Sequence, residues 1–293
     1  MAHLDLTGCG TALITPFSHG EVDYEAYARL VRRQVEAGID FLVPLGTTGE
    51  TPCLEDDERV KLLQVAKIHA AGKPLLVGGG TNSLRHTIRS INFLEPYGAD
   101  AFLIVVPYYN KPTQEGQYQY FKAVAESTDK PIVLYNVPGR TGANMTAETT
   151  LRLAEIDNIV AVKEASGNRQ QIEEILRNAP EGFAVLSGND DDTLWMMEEG
   201  GAGIISVASN VAPEQMARFV GAVRNGDMEL ARSLNEQLTP LFRNCFVESN
   251  PIPAKAAMSA MGLINNEFRL PLCPGSQQTY DLMKSTVEAL GLL

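Results

Sequence analysis

Eight short apolar runs alternate with eight amphipathic stretches, and three helical stretches with no strand between them follow. This pattern predicts a (β/α)8 barrel with a C-terminal helical appendage. The apolar runs are Thr11–Thr15, Phe41–Leu45, Leu75–Val77, Ala101–Val106, Ile132–Tyr135, Ile159–Lys163, Ala184–Leu186 and Gly203–Val207. Ile159-Val160-Ala161-Val162 is apolar on both faces, as expected of a parallel strand covered on both sides. An open doubly wound sheet is the competing architecture. It is rejected because the strands number eight and no GxGxxG follows the first of them.

The first helix is read from Asp23, an N-cap candidate, to Ala37, with Gly38 just past its end. The next seven lie near Leu54–Ala71, Leu84–Pro96, Gln114–Ser127, Thr146–Ile156, Gln170–Asn178, Asp191–Glu199 and Pro213–Arg224. Gly78-Gly79-Gly80-Thr81-Asn82 lacks the Lys-Ser/Thr of a phosphate-binding loop and reads as turn chemistry. The barrel is expected to span residues 1–224. Residues 225–293 are expected to form a helical domain from Met228–Val247, Ile252–Met261 and Gln277–Leu290, jointed at Pro251, Pro253, Pro271 and Pro274.

Composition bounds the function. With 293 residues, 44% of them apolar, a large core is expected. The net charge of −12, with no Lys/Arg stripe, argues against nucleic acid as a partner. An anionic substrate would need a local positive site. Cys9, Cys53, Cys245 and Cys273 form no CxxC pair, which suits a reducing compartment. The start, Met-Ala-His-Leu-Asp-Leu, has no basic segment followed by an apolar one, and no apolar run approaches membrane-spanning length. A cytoplasmic protein with no membrane partner is the expectation.

The C-terminal strand ends of a barrel meet on one face, and that face carries chemistry. The sixth strand ends in Lys163. Burial disfavours an ammonium, and a neutral amine can attack a ketone, so Lys163 is a Schiff-base candidate. Taken alone it reads more readily as a lysine that reaches solvent or pairs with Glu164. The neighbouring ends supply Gly46-Thr47-Thr48-Gly49-Glu50, Pro107-Tyr108-Tyr109-Asn110-Lys111-Pro112, Tyr135-Asn136-Val137-Pro138-Gly139-Arg140-Thr141-Gly142, Ser187-Gly188-Asn189-Asp190 and Ser206-Val207-Ala208-Ser209-Asn210. An amine attacking a small 2-oxo acid gives an iminium. Loss of a proton from the adjacent carbon then gives an enamine, a carbon nucleophile. Tyr135 and Thr47 can relay the proton, Thr48 and turn N–H groups can hold one carboxylate, and Arg140 can clamp a second. Singly, each has a plain structural reading: a turn, a barrel tyrosine, a surface ion-pair partner. Their joint placement favours function. His3, His19, His69 and His86 fall in no metal-ligand spacing, and HExxH and GxSxG are absent, so neither a metal nor a serine triad is expected.

At these residues the chain resembles the class I pyruvate aldolases of the N-acetylneuraminate lyase superfamily, over essentially its whole length. Within them it is most similar to the dihydrodipicolinate synthase family. The double threonine, the Pro107–Pro112 run and Arg140 after Pro138-Gly139 carry that likeness. The resemblance implies a TIM barrel and a lyase, a 4-hydroxy-tetrahydrodipicolinate synthase. That enzyme joins pyruvate to L-aspartate 4-semialdehyde in diaminopimelate and lysine biosynthesis, with no cofactor beyond a covalent pyruvate Schiff base. It implies Lys163 as the Schiff-base lysine and Tyr135, Thr47 and Tyr109 as the relay, with Tyr109 donated across a dimer interface. Thr48 would bind the pyruvate carboxylate and Arg140 that of the semialdehyde, with the backbone around Gly188 and Ile205 lining the pocket. It also implies a homotetramer built as a dimer of dimers. Two departures are Thr51-Pro52, where relatives carry a small pair, and the group Asp56, Arg59 and His86. Feedback-sensitive relatives tend to place histidines at the first two of those positions and a glutamate at the third, so feedback by lysine is expected to be weak or absent. A sister aldolase acting on N-acetylneuraminate or a 2-keto-3-deoxy sugar acid is the alternative. A non-catalytic 2-oxo-acid sensor is a third reading, opposed by the presence of Lys163, Tyr135 and Thr47.

Overall fold

The computed structural model describes residues 4–293, so His3 and the first residues of the segment read for a leader lie outside the described residues. Among the described residues, eight parallel strands form one sheet. They are β1 (Gly8–Ala12), β2 (Phe41–Val43), β3 (Leu76–Gly78), β4 (Ala101–Val105), β5 (Ile132–Asn136), β6 (Ile159–Glu164), β7 (Ala184–Ser187) and β8 (Gly203–Ser206). From β3 to β8 each strand pairs with the next, β8 pairs with β1, and β1 with β2. A parallel bridge between Leu42 and Leu75 links β2 to β3, and the Gly78 N–H donates to the Pro44 carbonyl at 3.0 Å. These bonds bring the sheet round into a barrel.

A helix follows each strand: α1 (Tyr24–Glu36), α2 (Asp56–His69), α3 (Leu84–Leu94), α4 (Gln114–Ala125), α5 (Ala147–Ala154), α6 (Arg169–Asn178), α7 (Thr193–Glu198) and α8 (Pro213–Arg224). Asp23 caps α1 by accepting from the Ala26 N–H, as its sequence position suggested. Side chains alternate between two cores. Phe41, Leu103, Val133, Tyr135, Leu186 and Ile205 pack inside the barrel, while Val31, Leu62, Ile91, Phe121 and Phe219 pack between sheet and helices. After α8 come α9 (Met228–Asn244), α10 (Ile252–Ala260) and α11 (Gln277–Ala289). Leu238, Phe242, Met258 and Met283 of these helices join the same outer core, with the Phe242 and Phe219 rings 6.3 Å apart. No helix among the described residues is long and apolar enough to cross a membrane.

The first strand lies three residues earlier than its apolar run. Gly8 and Gly10 look like strand breakers. Yet a Cβ at Gly10 would run into the Phe41 ring, which fills the barrel interior beside it. The residues read as the end of that strand lead instead into a hairpin, Phe17–Ser18 paired with Glu21–Val22.

The C-terminal region is tied to α2 by a single acid. Glu58 closes the capping box of α2 through the Glu55 N–H and also takes both arms of Arg269, at 2.6 and 2.7 Å. The Arg269 hydrogen bonds hold the Glu58 carboxyl below its ordinary value, against the opposing effect of burial. A depressed carboxyl contributes stability above its unfolded value and loses it as pH falls through the folded one. Glu58→Gln is therefore expected to destabilise the protein by about 1.5–3 kcal/mol near neutral pH. The gap should close in urea titrations run below about pH 4. A gap that persists unchanged into acid would show that the ion pair is not its source.

Candidate active site

Lys163 stands where the sequence places it, on the penultimate residue of β6 and 6% exposed. Strand register sets Tyr135 beside it on β5 and Leu186 beside it on β7. The Lys163 Nζ lies 4.3 Å from the centre of the Tyr135 ring. Alternation turns the next residue the other way. Glu164 is buried and accepts from Asn136 Nδ2 at 3.0 Å, Ser166 N at 2.7 Å and Gln171 Nε2 at 3.3 Å. Burial pushes its carboxyl up, and those donors pull it back. Among the described residues no salt bridge joins Lys163 to Glu164 or to any other carboxylate.

A cavity of about 670 Å³ opens at the ends of β2 to β5, and Lys163 borders it through Tyr135 rather than lining it. Thr47, Tyr135 and Arg140 line it, together with Gly78 to Thr81 and Tyr108. Asp56, Arg59, His86 and Arg89 line it too, so the residues read for feedback share this space. Arg59 is engaged there by Asp56 at 3.1 Å and by Ser90 Oγ at 2.7 Å.

The two threonines differ in setting. Thr47 faces the cavity, while Thr48 is buried and its Oγ1 accepts from Asn250 Nδ2 at 3.0 Å. Arg140 sits on a one-turn helix, Pro138–Thr141, and its Nη2 donates to the Asn250 carbonyl at 3.4 Å. Asn250 thus touches both groups read as carboxylate ligands. Sequence reasoning gave it no role, because nothing in the Asn250-Pro251 stretch marks a contact to strand ends about 200 and 110 positions earlier. Gly188 follows β7, and a Cβ there would lie 3.1 Å from Lys163 Cε and 2.6 Å from the Ala165 Cβ. Glycine leaves the lysine stem its room. Ile205 is fully buried on β8, in the inner core with Tyr135 and Leu186.

Tyr109 is not brought to Lys163. It is 89% exposed, at a φ of +71°, on a loop held by its N–H to the Thr141 carbonyl at 3.3 Å. Asp190, named at its strand end, was likewise given no role. Its buried carboxylate accepts from Ser206 Oγ at 2.5 Å and from the Val207 and Ala208 N–H groups at 3.2 Å, joining the ends of β7 and β8. Burial pushes its carboxyl up, and the nearby Lys163 is among the groups that oppose this.

A Dihydrodipicolinate synthetase family model matches residues 5–290. The 4-hydroxy-tetrahydrodipicolinate synthase of Thermotoga neapolitana is 49% identical over 98% of this chain and 99% of its own length. The crystal structure of dihydrodipicolinate synthase from Thermotoga maritima superposes with a TM-score of 0.97 at 47% identity, covering 99% of this chain and all of that one. A monomeric dihydrodipicolinate synthase variant matches with a TM-score of 0.96 at 47% identity, covering 98% of this chain and 97% of its own. The strand-end lysine and its neighbours therefore stand in a chain that belongs to the dihydrodipicolinate synthetase family.

Proposed function

We propose that this chain is a lyase that condenses pyruvate with L-aspartate 4-semialdehyde to 4-hydroxy-tetrahydrodipicolinate, in diaminopimelate and lysine biosynthesis. Near-full-length identity to 4-hydroxy-tetrahydrodipicolinate synthases supports it. The observation that carries the chemistry is the buried Lys163 in register with Tyr135, beside a cavity lined by Thr47 and Arg140.

The Lys163 amine attacks the pyruvate keto carbon, and water leaves to give an iminium. A methyl proton departs through Tyr135 and Thr47, and the resulting enamine carbon attacks the aldehyde. The amine of the semialdehyde then displaces Lys163 and closes the ring, so the lysine is regenerated. Thr48, Gly188 and Ile205 shape the pyruvate end and Arg140 clamps the second carboxylate. No cofactor is needed, because the iminium is itself the electron sink. The test is pyruvate consumption with aspartate semialdehyde and, separately, with N-acetylmannosamine or glyceraldehyde. Turnover with the semialdehyde alone is expected. Turnover only with the sugar aldehydes would move the chain to the sialic-acid and sugar-acid aldolases.

The exposed Tyr109, on a backbone conformation that side chains seldom adopt, fits insertion into the site of a second copy and assembly as a dimer of dimers. Four unpaired cysteines fit a cytoplasmic location. In the same cavity the Arg59 guanidinium opposes the amino groups of lysine. Lysine titrated into initial-rate assays is expected to leave activity intact at submillimolar concentration. Half-inhibition in that range would refute the assignment.

A further inference from the structure

The turn that carries Thr47 and Thr48 is short, and its last residue, Glu50, sits at a φ of +53°. Two threonine hydroxyls hold its two ends. Thr15 Oγ1 donates to the Gly49 carbonyl at 2.7 Å and Thr51 Oγ1 to the Gly46 carbonyl at 3.0 Å. The strongest anchor comes from α10. Lys255 Nζ donates to Glu50 Oε1 at 2.6 Å, and both side chains are wholly buried. The same ammonium donates to the Thr15 carbonyl at 3.1 Å, on the residue that grips Gly49. Glu50 Oε2 accepts from the Arg269 N–H at 3.4 Å. The Phe17 and Phe268 rings lie 4.6 and 4.3 Å from the Lys255 Nζ. Burial pulls the Lys255 amine below its ordinary value, and Glu50 works against that pull.

A buried ion pair is a poor way to gain stability, since apolar side chains of similar volume often do as well without the desolvation cost. What the pair supplies is direction. A short charge-assisted hydrogen bond admits one geometry, whereas apolar contacts slide. Here the direction is imposed two residues from Thr48, which α10's own approach, through Asn250, also touches.

We propose that Glu50 and Lys255 are positioning residues for the reaction, fixing the Thr47–Thr48 turn against α10 so that pyruvate capture depends on two side chains that touch no substrate. The inference rests on the reading of Thr47 and Thr48 given above. It makes the C-terminal helices part of the construction of the pyruvate site.

The test uses the full-length Glu50→Gln/Lys255→Met double variant, in which both charges go, Glu50 keeps its length and Lys255 becomes one atom shorter. Its Tm is expected to remain close to that of the wild type. The pyruvate concentration for half-maximal borohydride trapping should rise about 10- to 100-fold, the scale of a small misplacement in a site. The KM for aspartate semialdehyde should move by less than about 2-fold, because the one-turn helix that carries Arg140 is held by its own Thr141–Ala143 bond. A folded double variant with unchanged pyruvate capture overturns the proposal, and so does equal loss for both substrates. If the double variant does not fold, Glu50→Asp keeps both charges and withdraws the carboxylate by one methylene. Full pyruvate capture in that folded protein overturns the proposal too. Thr48→Ala separates the two ideas: normal capture there means the reading of the threonines has failed, not the positioning pair.

Discussion

Lys163→Ala is expected to abolish borohydride trapping of pyruvate and to lower kcat/KM by about 10^4-fold or more, since a covalent route has no partial substitute. No other amine is placed to take over. The one other lysine among the buried described residues, Lys255, is sealed between two aromatic rings and bonded to Glu50. The substitution should leave the fold intact, because the lysine stem ends beside space already kept open by Gly188. The check is intact-mass measurement after reduction with pyruvate, with the Tm recorded alongside. A folded Lys163→Ala protein that still gains the trapped mass would place the Schiff base on another residue.

What the sequence made legible follows from periodicity and from strand ends. Strands β2 to β8 each fall within about two residues of their apolar runs, because burial on both faces leaves an unbroken hydrophobic signal. Helix α8 coincides with its sequence reading, since Pro213 marks its first turn and Asn225-Gly226 its end. β1 was displaced because Gly10 is a strand residue for the sake of the Phe41 ring, a contact that no local pattern reports. Lys163, Tyr135, Thr47 and Arg140 were legible because each sits at a strand end, and the barrel brings strand ends together. Asn250, Asp190 and Lys255 were given no role, although Asp190 stood among the strand-end residues. Their partners lie 202, 16 and 205 positions away, and only the packed structure sets those distances. Tyr109 is the opposite case. Its motif marks it, yet within one chain the loop holds it in solvent, so its proposed role needs a second copy.

Arg140→Ala is expected to raise the KM for aspartate semialdehyde about 10- to 100-fold, the worth of roughly 1.5–3 kcal/mol of charge-assisted hydrogen bonding. Pyruvate trapping should change by less than about 3-fold, since on the proposed route pyruvate is captured before the aldehyde arrives and by other groups. The geometry supports the split. Arg140 spends one nitrogen on a long 3.4 Å bond to the Asn250 carbonyl, which leaves most of its donors for a carboxylate in the cavity it lines. Its one-turn helix is fixed independently of the guanidinium, through Thr141 Oγ1 donating to the Ala143 carbonyl at 2.7 Å. Truncation therefore removes the proposed ligand without moving the turn. Arg140→Lys restores the charge without the planar fork, and only partial recovery of the aldehyde KM is expected. Full recovery would mean that charge alone suffices. Equal damage to both substrates in Arg140→Ala would mean that Arg140 supports the site as a whole, and the carboxylate clamp would then have to be sought among Arg59 and Arg89, which line the same cavity.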